Sequence, residues 1–363
     1  MTAHTKLGTT GILLVVAGCS CTATTQPTRR IETPRASAVD RDARVVIDFA
    51  GADAWLECAR TAADLQGCET ASAATPGGRI ATLSNGTFGS GSPPAAVPPR
   101  KEAVEALVAQ MKSWPDALGR AARFLPARVG GGPLRVFVVA NGHPWGDAYV
   151  RGVQGDGDSA RRSDAGEPVI ILNAVLIASG YRGTASEQAQ SAFGVLSHEL
   201  FHALFRRYRF QDPLWSRVAH ETSPRHELQV LVLNEGVAHF VDREEELLRD
   251  GFPPDRSGAA LVALGNAWQR LEHVPAESAD AEEILRSANQ GRYWDKFGSI
   301  SGMLLAYGVF RSAGAEGIKE AVRCGPGRLL SLYAQATTRI ADLPRLPATL
   351  SSGAWFDLCQ APR

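Results

Sequence analysis

A chain of 363 residues, 44% hydrophobic and 21% charged, has the composition of a folded globular protein and suits one large domain or two modest ones. Lys plus Arg number 38 and Asp plus Glu number 38. With the basic residues scattered and no polybasic block, this balance gives no reason to expect nucleic acid or an anionic membrane surface as a partner.

The N-terminus reads as a targeting segment. Lys6 stands before the apolar run of residues 12–17 (Ile-Leu-Leu-Val-Val-Ala), which is too short to span a bilayer and fits the core of a signal peptide. Val16-Ala17-Gly18-Cys19 follows directly and resembles the lipobox of bacterial lipoproteins. That resemblance implies removal of residues 1–18 and a lipid on Cys19. It also implies, from Ser20, delivery to the outer membrane where the cell has one; an ordinary signal peptide cleaved nearby is the alternative. Residues 19–42, rich in Pro, Arg and Thr, are expected to form a flexible tether. The remaining 43–363 are expected to hold the domain itself, an α/β part over 43–185 and a helical part over 186–363.

Residues 44–49 predict a strand and residues 52–66 a helix. Residues 71–100, rich in Ala, Gly, Ser and Pro, predict a loop. Val104, Leu107, Val108, Met111 and Trp114 recur at helical spacing within 101–124. Strands are expected at Leu134–Val139 and Pro168–Leu172, with a polar loop between them that contains the solvated turn Gly155-Asp156-Gly157-Asp158. From 185 onward the pattern is helical almost to the end. The expected class is therefore α+β, a small mixed sheet followed by a mostly helical region.

Beyond Cys19 and Cys21, four cysteines remain: Cys58, Cys68, Cys324 and Cys359. Export allows disulfides, and four cysteines permit three connectivities. The sequence-local pairing, Cys58 with Cys68 and Cys324 with Cys359, is the expected one. No CxxC pair or Cys/His cluster exists, which argues against a cysteine metal site.

The chemistry concentrates at Ser197-His198-Glu199-Leu200-Phe201-His202, an HExxH pattern. On a helix, residues four apart share a face, so both imidazoles point the same way, and Glu199 can reach a water on a metal between them. The flanks Phe193, Val195, Leu196, Leu200, Phe201, Ala203, Leu204 and Phe205 are apolar on nearly all sides, which marks a buried helix. Two His and a Glu buried there need partners, and a metal supplies them.

A third ligand is expected from the apolar run around Asn234-Glu235-Gly236-Val237-Ala238. Glu235 is the only acidic residue between Leu228 and Val241, and a lone buried carboxylate needs a cation or a proton. Ser223 as N-cap, Pro224 after it and Gly251 before Pro253-Pro254 punctuate this helix. The small Gly236 and Ala238 are expected to let it approach the HExxH helix closely. Two His plus one Glu is the donor set of a catalytic zinc site with a position left open for water.

HExxH followed on a later helix by Asn-Glu-Gly-x-Ala resembles the gluzincin metallopeptidases, and more narrowly a group of predicted bacterial zinc peptidases. The resemblance covers roughly 45–325 and implies a zincin-like domain. It assigns His198, His202 and Glu235 to one Zn2+ per chain, Glu199 to the general base, and a peptide or protein to the substrate. A metzincin is excluded, because Phe205 and Tyr208 stand where its Gly and third His would be. No Gly-x-Met-Glu-Asn segment of an aminopeptidase-type gluzincin occurs. A Tyr often stabilises the oxyanion in such enzymes. Tyr293, in Arg292-Tyr293-Trp294-Asp295-Lys296, is the nearest match, with Tyr307, His220 and His226 as alternatives. His239 and Asp242 lie four and seven positions after Glu235, on its face of the helix, and are the expected partners behind the metal ligands. His143 belongs to a turn. Gly130-Gly131-Gly132-Pro133 precedes a strand and is no phosphate loop. The small-residue run at 298–305 is expected to pack against the catalytic helices.

The leading expectation is a lipid-anchored zinc endopeptidase outside the cytoplasm. The alternatives are a zinc-binding envelope lipoprotein without catalysis and another amide-cleaving hydrolase on the same site.

Overall fold

The computed structural model describes residues 44–62, 65, 67–83, 100–115, 117–126, 129–141, 146–155, 159–163 and 165–360. The expected signal segment, the tether with Cys19 and Cys21, the turn residues Asp156 to Asp158 and the loop residue His143 lie outside them.

In chain order the first half comprises β1 (Val45–Asp48), α1 (Ala50–Thr61), α2 (Cys68–Ala73), α3 (Pro76–Thr82), α4 (Lys101–Met111), α5 (Leu118–Ala122), β2 (Leu134–Val139), β3 (Ala148–Gln154), β4 (Arg161–Arg162) and β5 (Glu167–Asn173). The second half is helical: α6 (Ala174–Gly180), α7 (Ala185–Gln211), α8 (Pro213–Ser216), α9 (Pro224–Asp250), α10 (Pro254–His273), α11 (Ala279–Asn289), α12 (Phe297–Cys324), α13 (Pro326–Thr337) and α14 (Ala348–Ser351). The class is α+β, with the sheet confined to the N-terminal side.

The five strands run in the order β1-β2-β5-β3-β4. β1, β2 and β5 are parallel, with Val45 opposite Leu134 and Phe137 opposite Ile171. Their near-continuous Val and Ile runs fit strands covered on both faces. β3 is antiparallel to β5, with Tyr149 opposite Ile171. On its other side, among the described residues, β3 pairs only at its end, where Val153 and Gln154 face β4.

Two parts of the sheet layer depart from the sequence expectation. Residues 71–100 were expected as a loop, yet α3 and the second half of α2 form within them. Thr75 caps α3 by accepting from Gly78 N (3.1 Å), and Pro76 occupies its first turn. Ile80 and Ala81 then cover the second face of the sheet at Phe137, Val139 and Ile171. β3 forms inside the segment expected as a polar loop. Its central Arg151 is buried and donates to the carbonyls of Ile80 and Leu83, both at 2.6 Å. A charge that looked like solvent exposure instead satisfies the C-terminal carbonyls of α3. The predicted helix over 52–66 ends at Thr61. That over 101–124 divides into α4 and α5, with Pro115 between them.

The long helices follow their sequence signals closely. Thr184 and Glu187 form a reciprocal capping box at the start of α7. Ser223 Oγ accepts from His226 N at the start of α9, Pro224 takes its first position, and the helix stops at Gly251. α12 lies against α9, α10 and α13 and carries the buried run expected at 298–305. One hydrophobic core runs from Ala52 to Leu358 and joins the sheet to the helices.

Cys58 is bonded to Cys68 and Cys324 to Cys359, the sequence-local pairing. The second bond ties the C-terminal segment to the end of α12. Leu358 N donates to Cys324 O (2.7 Å) and Phe356 N to Gln229 Oε1 on α9 (2.8 Å). Among the described residues, no helix is long and apolar enough to cross a membrane.

Candidate metal centre

α7 crosses the interior with Leu196, Leu200, Phe201 and Ala203 fully buried, and His198 and Glu199 on it are buried as well. α9 packs against it. Together they bring His198, His202 and Glu235 into one cluster whose ligand atoms all lie within 4.8 Å of one another. The two Nε2 atoms are 2.9 Å apart, and Glu235 Oε2 lies 3.7 Å from that of His198 and 3.5 Å from that of His202.

This arrangement calls for positive charge. Asn234 Oδ1, which can only accept, stands 3.0 Å from His202 Nδ1, so that nitrogen carries its hydrogen and Nε2 faces the cluster. Burial would raise the Glu235 carboxyl, but His202, His198 and Lys296 outweigh it and hold it at about 2. Burial would likewise lower His202, but the Glu235 carboxylate, Glu199 and the Asn234 contact drive it up to about 9. A buried carboxylate and two converging imidazole nitrogens thus hold a proton where a divalent ion fits better. The donor set, two nitrogens and one oxygen, suits zinc and leaves room for water.

Glu199, next to His198, is outside the trio. Burial pushes its carboxyl up to about 7, with Glu235 and Asp147 adding to the rise and His202 opposing it. The backbone N–H of Val150 hydrogen-bonds this carboxylate. The bond comes from the edge of β3 that, at Val150, has no strand partner among the described residues. A cavity of about 700 Å³ opens over His198 and Glu199, and Asp147, Tyr181, Tyr293 and Lys296 share its wall.

The structure places the other expected residues as follows. His239 stacks edge-on against His198, with ring centres 4.5 Å apart, but no hydrogen bond joins them, and its Nδ1 is buried without a partner among the described residues. Asp242 lines the same cavity and sits against α7, where a Cβ on Gly194 would lie 2.1 Å from its Oδ1. Burial raises its carboxyl to about 6. Among the described residues it makes no hydrogen bond to His198 or His202. Tyr293 is on the cavity wall, its hydroxyl 3.5 Å from Met303 Sδ. Tyr307 lines a separate small cavity and accepts from Arg311 (3.3 Å). His226 stacks on Phe356 at the start of α9, and His220 is exposed.

Sequence reasoning missed Asn234, whose signal was its place beside Glu235 in the same motif. It also missed Asp147 and Tyr181, which no motif marks, and gave no role to Lys296, although that residue lies in the run singled out for Tyr293. Asn234→Ala is expected to weaken zinc binding roughly 10- to 100-fold, as loss of a group orienting a metal-bound imidazole does. Competition with a chromophoric chelator measures this, and an unchanged affinity would show that Asn234 does not orient His202.

A family model described as "Putative zinc dependent peptidase (DUF5700)" matches residues 100–342, about two-thirds of the chain. The chain belongs to this family. The matched span of this DUF5700 protein contains α7, α9 and α12, hence the whole candidate centre. It begins after β1 and the first three helices. No curated protein and no solved structure matches the chain.

Proposed function

We propose that this DUF5700 chain is a gluzincin-type zinc endopeptidase. His198, His202 and Glu235 would hold one Zn2+, and Glu199 would act as general base. The observation that carries this reading is the convergence of two imidazole nitrogens and one carboxylate oxygen in a buried cluster that opens onto a cavity. Zinc, when bound, supplies Lewis acidity and a water of lowered pKa.

The residues of the chain do the rest. Glu199 accepts the proton of the attacking water and returns it to the leaving amine. Val150 N–H orients its carboxylate from the sheet edge. Asn234 fixes the ring of His202 so that Nε2 points inward. The apolar body of α7 keeps bulk water from the rear of the site, which strengthens each of these interactions. A peptide or protein is the substrate that this chemistry suits. Lipidation at Cys19, with the tether of residues 19–42, would place the domain at the envelope surface outside the cytoplasm.

The test is metal content by elemental mass spectrometry on the chain lacking its first 21 residues, with Glu235→Ala alongside. About one zinc per wild-type chain is expected. In the variant, affinity should fall by at least ~10²-fold, more than loss of an outer-shell partner produces. Casein cleavage should vanish with chelation and return with zinc. A folded wild-type chain that takes up no zinc would end the enzyme reading.

A further inference from the structure

Peptide hydrolysis leaves a negative oxygen that needs a donor. Besides the metal ligands, the donors on the cavity wall include Tyr181, Tyr293 and Lys296. The two tyrosines are engaged elsewhere. Tyr181 Oη donates to Asp147 Oδ2 at 2.6 Å. Tyr293 directs its hydroxyl to Met303, while Arg243 lies over its ring at 4.7 Å from the centroid and His239 stands edge-on to it.

Lys296 differs. It is half-buried at the N-cap of α12, and its ammonium makes no hydrogen bond or ion pair among the described residues. Most other cations of the cavity are paired: Arg243 with Glu246 (2.7 Å), Arg249 with Asp250 (2.8 Å), and Arg120 with Glu245 (3.5 Å). Arg182 is exposed. Lys296 shares the cavity wall with His198, Glu199 and His239. A half-buried, unpaired cation on that wall is placed to meet negative charge that develops only during reaction.

We propose that Lys296 neutralises the oxyanion formed when water adds to the scissile carbonyl, an inference that rests on the zinc-peptidase reading above. In that step the water oxygen forms the new bond to carbon and its proton passes to Glu199. The carbonyl π pair moves onto oxygen, where the ammonium compensates it while keeping its own protons. Collapse of the adduct restores the carbonyl and breaks the C–N bond, and the amine leaves with the proton from Glu199.

The experiment compares zinc-loaded wild type, Lys296→Met and Lys296→Arg by kcat and KM on fluorescent casein. It also compares their affinity for two small probes, the anion acetohydroxamate and neutral imidazole. Lys296→Met should lose about 10²-fold in kcat with KM within about twofold, and Lys296→Arg should recover part of the loss. Acetohydroxamate affinity should fall about tenfold in Lys296→Met while imidazole affinity holds, a readout independent of turnover. An unchanged kcat, a loss confined to KM, or equal weakening of both probes would overturn the role. Wild type that binds no zinc or cleaves nothing removes the parent reading and this one together. Wild type that does both, with Lys296→Met indistinguishable from it, removes this one alone.

Discussion

Glu199→Gln is expected to lower peptide hydrolysis on the order of 10³-fold while leaving about one zinc per chain. The amide matches the carboxylate in size, and its oxygen still accepts from Val150 N–H, so the local packing survives. What disappears is the group that takes the proton from water. Burial, which raises this carboxyl to about 7, makes it a stronger proton acceptor than an exposed glutamate would be. The retained zinc separates two roles that the position of Glu199 alone leaves close together. As a base it is dispensable for metal binding; as a fourth ligand it is not. Elemental analysis and casein turnover on the same preparation decide between them. Loss of zinc in Glu199→Gln would make it a ligand, and full activity would make another residue the base.

The parts of this protein that were legible in its sequence are those in which local pattern and tertiary role coincide. α7 and α9 carry caps, apolar runs and stop signals of their own, and their ligand residues sit at helical spacings. β2 and β5 are continuous apolar runs because both faces are covered. Elements whose partners lie far along the chain were not legible. Arg151 looks like a loop residue until the end of α3, about 70 positions earlier, arrives to accept its hydrogen bonds. Asp147 and Tyr181 meet across 34 positions, with no motif to announce them. Lys296 comes to share a cavity wall with His198 of α7 and His239 of α9 only in the folded chain. The role expected of Gly236 also changed in three dimensions. Its small size was expected to admit the HExxH helix, but its close neighbour is Gly302 on α12.

That contact leads to the second large effect, a loss of stability in Gly302→Ala of about 3 kcal/mol. An ideal Cβ on Gly302 would lie 2.0 Å from Val232 O and 2.7 Å from Gly236 Cα, and one on Gly236 would lie 2.3 Å from Gly302 Cα. The obstacles are backbone atoms of α9, which no rotamer change can move aside. Helix propensity alone predicts the opposite sign, since Ala is favoured over Gly inside a helix by about 1 kcal/mol. Gly258 on α10, where an added Cβ meets nothing within 4 Å, is the control and should gain up to about that amount as Gly258→Ala. Denaturant unfolding of the metal-free protein reads both signs without any contribution from zinc. Glu235 precedes Gly236 directly, so separating the two helices also displaces a ligand. Gly302→Ala should therefore bind zinc more weakly although it touches no ligand, whereas a variant as stable as wild type would show that α9 and α12 can part without disturbing the centre.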